Sequence, residues 1–171
     1  EIGGRLTQHK EFGTAFTYAI NPYYFIHPQV KIFASLATAF RAPSVYHLAS
    51  EYGNPNLDPE RSRQFEFGTR LTDGSGKLTV TATYFDRRIK DVIIFQSLFV
   101  PPYGIYANAD RQHDKGLESE LRFAPTDQLQ LTANYTFLEG AITTENSGKD
   151  SSYFNLYRRP KHNFNLGAGY Q

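Results

Sequence analysis

The sequence predicts an all-β protein, an antiparallel transmembrane β-barrel segment of about eight strands, and three observations support this fold class. Apolar and polar residues alternate with a period of two along most of the chain, as they do in strands with one apolar and one polar face. Short turns alternate with long polar connections, which is typical of barrels with short periplasmic turns and long extracellular loops. Aromatic residues are abundant, with 14 Phe and 12 Tyr, and barrels place such residues against lipid and at the membrane interface.

The composition excludes several other classes of protein. The chain of 171 residues has no cysteine, which removes disulfide frameworks, thiolate zinc sites and thiol nucleophiles. Its formal net charge is +1, from 18 Lys+Arg and 17 Asp+Glu, so we expect no nucleic-acid partner. No run approaches the ~18 consecutive apolar residues that a transmembrane helix needs.

Period-two alternation predicts eight strands. They lie near residues 2–9, 13–26, 30–40, 62–72, 77–95, 105–124, 128–139 and 160–171. Val80 and Leu131 fall on the predicted lipid face, whereas Thr81 and Thr132 fall on the opposite face, which suits a hydrated lumen. Alternation also leaves open a soluble β-sandwich or jelly roll, although such folds usually carry Lys and Glu on their outer face.

The connections between these strands fall into two groups. Short turns are predicted at residues 27–29, 73–76 and 124–128, where glycine, proline and aspartate favour tight turns. Long polar stretches at residues 41–62, 96–114 and 139–159 are predicted to be extracellular loops. No segment has a convincing period of 3.6 residues, so no helix is predicted.

Several separate motifs are similar, in order along the chain, to motifs in the barrel of TonB-dependent outer-membrane receptors. They are TAFRAPS (38–44), GNPNLDPERS (53–62), YFDRRIKDVI (84–93), the segment from Asn108 to Glu118, NYTFL (134–138) and RRPKH (158–162). The most similar branch is the cobalamin receptors, through GNPNLDPE and the Arg-Arg that precedes Pro-Lys-His. Siderophore receptors share much of this pattern, so a ferric siderophore is the alternative ligand.

The resemblance implies a barrel of about 22 strands, an N-terminal plug domain and a TonB box. We expect residues 1–171 to be part of such a barrel, with the plug and TonB box outside this chain. The resemblance further implies a Gram-negative outer-membrane location and active transport of a scarce large nutrient rather than catalysis. The implied partners are that ligand, the TonB complex, and outer-membrane lipid including lipopolysaccharide. No cofactor is implied.

Aromatic and amide side chains in the predicted loops are the candidate ligand-binding residues. They are Tyr46, Tyr52, Asn54, Asn56, Tyr103 and Tyr106. A tyrosine ring offers a flat apolar face and a hydrogen-bonding hydroxyl, which suits a bulky ligand of mixed polarity. The alternative is that these aromatic residues belong to an interfacial girdle or pack the loops.

Two further clusters have a functional and a structural interpretation. Asn54, Asn56, Asp58 and Glu60 place oxygens at every second position, as calcium loops do, but the prolines between them favour a structural loop, and no metal site is predicted. A basic cluster of Arg158, Arg159 and Lys161 is predicted to contact lipopolysaccharide phosphates at the outer rim. The alternative for that cluster is a solvated beginning of a strand.

Enzymatic alternatives find little support in the sequence. A barrel protease or lipase would need a Ser/His or Asp/His constellation, and the five histidines are scattered. Asp110, His113 and Asp114 do cluster, but in a stretch predicted as a polar loop, where we interpret them as exposed surface residues. No catalytic residue is predicted.

Overall fold

The computed structural model describes residues 1–146, 149–153 and 160–170, and these form one ten-stranded antiparallel sheet and a short helix. The strands are β1 (Ile2–His9), β2 (Gly13–Ile20), β3 (Tyr23–His27), β4 (Val30–Arg41), β5 (Glu60–Thr72), β6 (Leu78–Ser97), β7 (Gly104–Phe123), β8 (Leu129–Asn146), β9 (Lys149–Tyr153) and β10 (His162–Tyr170). Helix α1 spans Val45–Ala49. Among the described residues, no helix has the length and apolar character needed to cross a membrane.

The sheet follows the chain. Its spatial order is β1-β2-β4-β5-β6-β7-β8-β10, with β3 paired to β4 and β9 paired to β8. Eight strands therefore lie on the main path, as predicted, and all of the pairings are antiparallel. Within the described residues the sheet is open, because β1 and β10 are its two ends.

The predicted strand at residues 13–26 is wrong in one respect, because the structure divides it into β2 and β3. The interruption lies at Pro22, which has no backbone N–H to continue a ladder. Its carbonyl still accepts a hydrogen bond of 3.0 Å from the Ala34 N–H. The break lets β2 and β3 pair with different parts of β4.

Two predicted long loops are wrong in length. The pairing of β6 with β7 continues to Ser97 opposite Gly104, so residues 96–114 are mostly strand and the connection is residues 98–103. The stretch at 139–159 is likewise partly strand, since β8 runs to Asn146 and pairs with β9. Both predictions failed because these strands are rich in polar residues, as loops are. The β6–β7 and β8–β9 hairpins therefore extend beyond the ends of the strands next to them.

The absence of any helix was also a wrong prediction, because α1 forms inside the connection at 42–59. Ser44 caps its first turn, with its hydroxyl accepting a hydrogen bond from the His47 N–H at 3.2 Å. A helix of five residues is too short to display a 3.6-residue period, so its cap was the available signal.

Strand register gives the sheet two chemically different faces. On one face Phe67, Tyr84, Leu117 and Phe137 lie side by side across four strands. These side chains are not covered by the described residues, and Phe67 is 52% exposed, as expected of a face that meets lipid. The predicted division is confirmed, because Val80 and Leu131 have the parity of this apolar face, while Thr81 and Thr132 have the parity of the other.

The opposite, lumen-side face contains two phenylalanines that cover glycines on the adjacent strand. Phe33 lies over Gly68 and Phe85 lies over Gly116, at directly paired positions. A Cβ on Gly68 would clash with the Phe33 ring and would approach the Ala82 carbonyl oxygen to 2.7 Å. These glycines therefore make room for apolar rings on a face that is otherwise mostly polar.

Candidate ligand-binding site at the loop end of the sheet

The connection between β4 and β5 folds back onto the hairpin formed by β6 and β7. The Tyr106 N–H donates to the Tyr52 carbonyl at 2.9 Å, and the Asn54 amide donates to the Tyr106 carbonyl at 3.1 Å. Further along, the Asp58 N–H donates to Asn108 Oδ1 at 2.8 Å. These bonds join residues about 50 positions apart in sequence and fix the loop at the end of the sheet that carries the long connections.

The sequence shapes this loop locally as well. Gly53 passes so close to α1 that a Cβ there would lie 2.7 Å from the Leu48 carbonyl oxygen, which no other residue tolerates. Leu57 is buried and anchors the returning segment. At its base, Arg41 pairs with Glu60 at 2.6 Å, and Glu60 Oε1 accepts a hydrogen bond of 2.8 Å from the Ile93 N–H. The loop is thus attached to β6 as well as to β7.

Five rings converge where the loop meets the hairpin. We call Tyr46, His47, Tyr52, Phe95 and Tyr106 the aromatic cluster. Tyr106 is central, with centroid distances of 4.7 Å to His47, 5.5 Å to Phe95 and 6.0 Å to Tyr46. Tyr52 joins through Phe95 at 5.5 Å. Edge-to-face geometry predominates, so ring faces remain available to a ligand.

Exposure and protonation suit this cluster for binding. Tyr46 on α1 is 58% exposed and Phe95 is 49% exposed, so these two rings form an accessible rim of the aromatic cluster. The hydrogen bond from the Tyr52 hydroxyl to Glu51 raises the pKa of that tyrosine above its usual value of 10.0. Tyr52 is a neutral phenol at physiological pH, and its hydroxyl proton is held by Glu51, so it offers a ligand its ring and the acceptor side of its oxygen.

The predicted ligand-binding residues have different positions in the structure. Tyr46, Tyr52 and Tyr106 are brought together in the aromatic cluster. Tyr103 lies apart in the turn at the tip of the β6–β7 hairpin and is 65% exposed. Asn54 holds the loop, since its side chain donates to Tyr106 and accepts from the Asn56 N–H at 2.9 Å. A ligand-binding role for any of the six residues stays a prediction.

Sequence reasoning missed two members of the aromatic cluster, His47 and Phe95. His47 was taken as a scattered polar residue and Phe95 as the last residue of a strand. The position of Phe95 opposite Tyr106 depends on the register of a hairpin whose tip was predicted as part of a loop. The capping pair Ser44 and His47 could have indicated the helix that presents the histidine ring.

The interpretation of Asp110, His113 and Asp114 as exposed loop residues is wrong in placing them in a loop, and its exposure is wrong for Asp114 alone, because Asp110 and His113 are exposed. All three lie in β7, and Asp114 is 0% exposed. The Asp114 carboxylate is paired with the Arg87 guanidinium and accepts a hydrogen bond of 2.7 Å from the Gln112 amide. His113 points to the apolar side instead, where its Nε2 lies 2.6 Å from Asp86 Oδ2. Alternation along β7 therefore separates residues that looked like one cluster.

The oxygen-rich run that resembles a calcium loop is used by the scaffold. The Asp58 backbone bonds to Asn108, and Glu60 pairs with Arg41. Across the described part of the chain, no group of three or more His, Asp or Glu side chains is arranged to hold a metal ion. Of the basic cluster, Lys161 lies 3.6 Å from Glu139, whereas Arg158 and Arg159 are outside the described residues.

An antiparallel meander with one apolar outer face, a polar inner face and elaborated connections at one end is the wall of an outer-membrane β-barrel. The comparison with known families agrees. All 171 residues match the family described as TonB dependent receptor-like, beta-barrel. The chain belongs to this family, which is one of outer-membrane receptors and transporters rather than enzymes.

Relatives are distant and longer than this chain. The iron-regulated outer membrane virulence protein of Vibrio cholerae is 26% identical over 194 aligned positions, covering 99% of this chain and 28% of its own. The siderophore receptor PirA from Pseudomonas aeruginosa superposes with a TM-score of 0.68 at 23% identity, over 99% of this chain and 36% of PirA. This chain therefore spans about a third or less of the relatives' length.

Two other solved structures share the fold at lower identity. The copper transporter OprC gives a TM-score of 0.71 at 18% identity, over 92% of this chain and 25% of OprC. The pyoverdine outer membrane receptor FpvA from Pseudomonas aeruginosa, solved with pyoverdine, gives 0.68 at 19% identity, over 92% of this chain and 22% of FpvA. The predicted family and outer-membrane location are confirmed. The cobalamin branch gains no support from these relatives.

Proposed function

We propose that this chain supplies wall and extracellular loops to a TonB-dependent transporter that captures a ferric siderophore. The observation that carries the proposal is the aromatic cluster, in which Tyr46, His47, Tyr52, Phe95 and Tyr106 converge at the loop end. The names of the relatives point the same way, since PirA is a siderophore receptor, FpvA is a pyoverdine receptor and the Vibrio cholerae protein is iron-regulated.

The chemistry of the aromatic cluster suits such a ligand. A ferric siderophore is large and combines flat or apolar surfaces with hydrogen-bond acceptors around the metal. Tyrosine rings can stack on the flat or apolar surfaces, and tyrosine hydroxyls can donate hydrogen bonds to the acceptors around the metal.

A free metal ion is a weaker candidate for this part of the protein, although OprC is a copper transporter. Copper is held by soft thiolate, thioether or imidazole ligands. The sequence has no Cys and no Met, and His47 is the only imidazole in the aromatic cluster. Cobalamin, the first ligand suggested by the sequence, has a size and mixed polarity that the aromatic cluster could bind. It is therefore one of the ligands in the binding experiment.

The plug domain and the TonB box belong to this proposal as parts outside residues 1–171. Ligand capture by the loops would be followed by rearrangement of the plug, driven by the TonB complex. The inner face of the sheet carries Thr, Asn and the ion pair of the half-buried Arg87 with the buried Asp114, and it would supply the polar wall against which such a plug packs. Energy coupling therefore depends on the longer receptor of which this barrel segment is a part.

The proposal is tested by equilibrium binding to the full-length receptor. The ligands are a ferric catecholate, a ferric hydroxamate, cobalamin and free Cu²⁺. At least one ferric siderophore should bind, and Tyr46→Ala should weaken its binding about tenfold, which is about 1.4 kcal/mol. The matched control is Val45→Ala, on the same helix at 81% exposure and outside the aromatic cluster.

Two results would overturn the proposal. If the receptor binds cobalamin and none of the ferric siderophores, it belongs to the cobalamin branch. Equal affinities in Tyr46→Ala, Val45→Ala and the unaltered receptor would remove the aromatic cluster as the binding site.

A further inference from the structure

His47 is held in α1 by two reciprocal hydrogen bonds with Ser44. The His47 N–H donates to the Ser44 hydroxyl at 3.2 Å, and the Ser44 N–H donates to Nδ1 of the His47 ring at 3.4 Å. The His47 carbonyl also accepts a hydrogen bond of 2.9 Å from the Asn54 N–H in the returning segment of the connection. His47 is therefore fixed both through its backbone and through one ring nitrogen.

The bond to Nδ1 decides which nitrogen of the neutral imidazole carries the proton. A ring nitrogen that accepts from a backbone N–H has no proton of its own, so the hydrogen-bond network assigns the proton of the neutral His47 ring to Nε2. Within the part of the chain that the structure describes, Nε2 has no hydrogen-bond partner. The capping pair thus leaves His47 with one free N–H donor of fixed orientation.

The His47 ring lies against the centre of the aromatic cluster. Its centroid is 4.7 Å from that of Tyr106, and the two ring planes are tilted by 46°. His47 is half-buried, so part of its surface remains open to a ligand that enters beside the exposed Tyr46. A hydrogen bond is stronger where aromatic rings replace water around it. The donor is therefore well placed to contribute to binding.

The tyrosine hydroxyls of the aromatic cluster discriminate less than this imidazole does. The Tyr52 hydroxyl donates to Glu51. A free tyrosine hydroxyl, such as that of Tyr46, both donates and accepts, and it rotates to suit its partner. The Nε2–H of the neutral His47 ring can only donate. His47 is thus the member of the cluster that can distinguish an acceptor on the ligand from a donor.

We propose that His47 selects for an oxygen acceptor on the bound siderophore. Its Nε2–H donates to a carbonyl, hydroxamate or catecholate oxygen of the ligand, while its Nδ1 holds the cap of α1. This role rests on the proposed function, because the ligand is the same. A ligand that presented an ammonium group at this point would place two donors face to face. Recognition and capping therefore depend on opposite nitrogens of the same imidazole.

Acidification should remove this arrangement. A proton on Nδ1 leaves the ring and the Ser44 N–H as two donors that face each other, so the bond that orients the ring is lost. The titratable groups around the ring are the phenols of Tyr46 and Tyr106, and the Glu51 carboxylate is bonded to a tyrosine hydroxyl. Among the described residues, His47 forms no ion pair that would compensate an imidazolium. Siderophore binding should therefore weaken as the ring becomes charged.

Three substitutions separate the cap from the donor. His47→Gln keeps both, because a glutamine at this position of a capping box accepts from the Ser44 N–H and retains an amide donor. His47→Glu keeps the cap but has no donor. His47→Phe keeps a ring beside Tyr106 and lacks both nitrogens. Binding of a ferric hydroxamate and a ferric catecholate to the full-length receptor is measured between about pH 8 and pH 5, where histidines titrate.

The affinities at neutral pH report the donor. His47→Gln should bind within about twofold of the unaltered receptor, whereas His47→Glu and His47→Phe should bind about three- to tenfold more weakly, as expected for one lost hydrogen bond. The uncharged His47→Phe shows that the loss in His47→Glu is not charge repulsion alone. Acidification should weaken binding to the unaltered receptor at least threefold more than binding to His47→Gln.

Four results would overturn this role of His47. They are equal affinities of His47→Phe and the unaltered receptor, equal affinities of His47→Gln and His47→Phe, an equal pH dependence of His47→Gln and the unaltered receptor, and faster protease cleavage within residues 42–59 in His47→Glu than in His47→Gln. If Tyr46→Ala weakens binding and the His47 variants do not, the role of His47 fails alone. A receptor that binds no siderophore overturns the proposed function and the role of His47 together.

Discussion

Asn108 and Asp58 are joined by a reciprocal pair of hydrogen bonds. The Asp58 N–H donates to Asn108 Oδ1 at 2.8 Å, and Asn108 Nδ2 donates to the Asp58 carbonyl at 3.0 Å. The same Nδ2 donates to the Asp91 carbonyl at 2.6 Å, where the backbone has a positive φ of 57°. One amide side chain thus ties the loop between β4 and β5 to both strands of the β6–β7 hairpin.

Replacement of Asn108 by alanine should release the loop that presents the aromatic cluster. Each lost hydrogen bond is worth about 0.5–1.5 kcal/mol, so we expect siderophore affinity to fall about three- to tenfold and cleavage by added protease within residues 42–59 to accelerate. Asn134→Ala, on the lumen-side face of β8, is the matched control and should change neither measurement. Unchanged protease resistance in Asn108→Ala would show that the loop is held by other contacts.

Arginine substitutions should report both the face and the depth of a residue. Leu117 lies in the middle of the apolar face, beside Tyr84 and Phe137, and Leu117→Arg should cost about 2–4 kcal/mol, as expected near the bilayer midplane. Leu131 pairs with Phe123 beside the turn at 124–128, so Leu131→Arg should cost about 0–1 kcal/mol, as expected near an interface. Thr81→Arg, on the lumen-side face, is the control. The measurement is urea unfolding of the full-length receptor in lipid vesicles, and three equal costs would contradict the assigned faces.

The strands could be predicted because alternation is a local property. The adjacent residues Val80 and Thr81 differ in polarity, so the face that each occupies can be predicted without knowing which strands lie beside it. The extension of β6 to Ser97 was missed, since polar residues on a hairpin and polar residues in a loop have the same composition. Pro22 alone could have marked the division between β2 and β3.

The candidate site could be predicted only in part, because it is assembled by strand register. Tyr52 and Tyr106 were chosen for their ring chemistry, but their shared neighbour Phe95 depends on pairing across the hairpin. Arg63 and Arg88 are 25 positions apart in sequence and become adjacent only when β5 pairs with β6. A basic cluster visible in the sequence, by contrast, consists of residues close together along the chain, as at 158–161.

Gly68→Ala should destabilise the sheet, because the added methyl group would clash with the Phe33 ring and crowd the Ala82 carbonyl. We expect a loss of about 1–3 kcal/mol in unfolding free energy. A double-mutant cycle with Phe33→Ala should recover part of this loss, since removing the ring removes the clash. Gly169→Ala is the control, as a Cβ there meets nothing within 4 Å. Additive effects of the two substitutions would mean that the ring does not cover the glycine.

The turn between β5 and β6 should make stability depend on pH in the acid range. The Asp73 carboxylate accepts hydrogen bonds from the Ser75 hydroxyl and from the Leu78 N–H, and these bonds lower its pKa below the ordinary value of 3.8. A pKa that is lower in the folded state stabilises the protein above the ordinary value, and that contribution disappears as the pH falls through the folded-state pKa. Ser75→Ala removes the largest cause of the shift, so the variant should be less stable than the unaltered receptor at neutral pH, and the difference should shrink below a pH of about 3.8.

Urea unfolding of the full-length receptor in detergent at several pH values provides the measurement, with Asp127→Asn in the turn at 124–128 as a control for a general effect of turn carboxylates. A difference between Ser75→Ala and the unaltered receptor that stays constant down to the lowest pH would show that the hydroxyl acts without regard to the charge of Asp73.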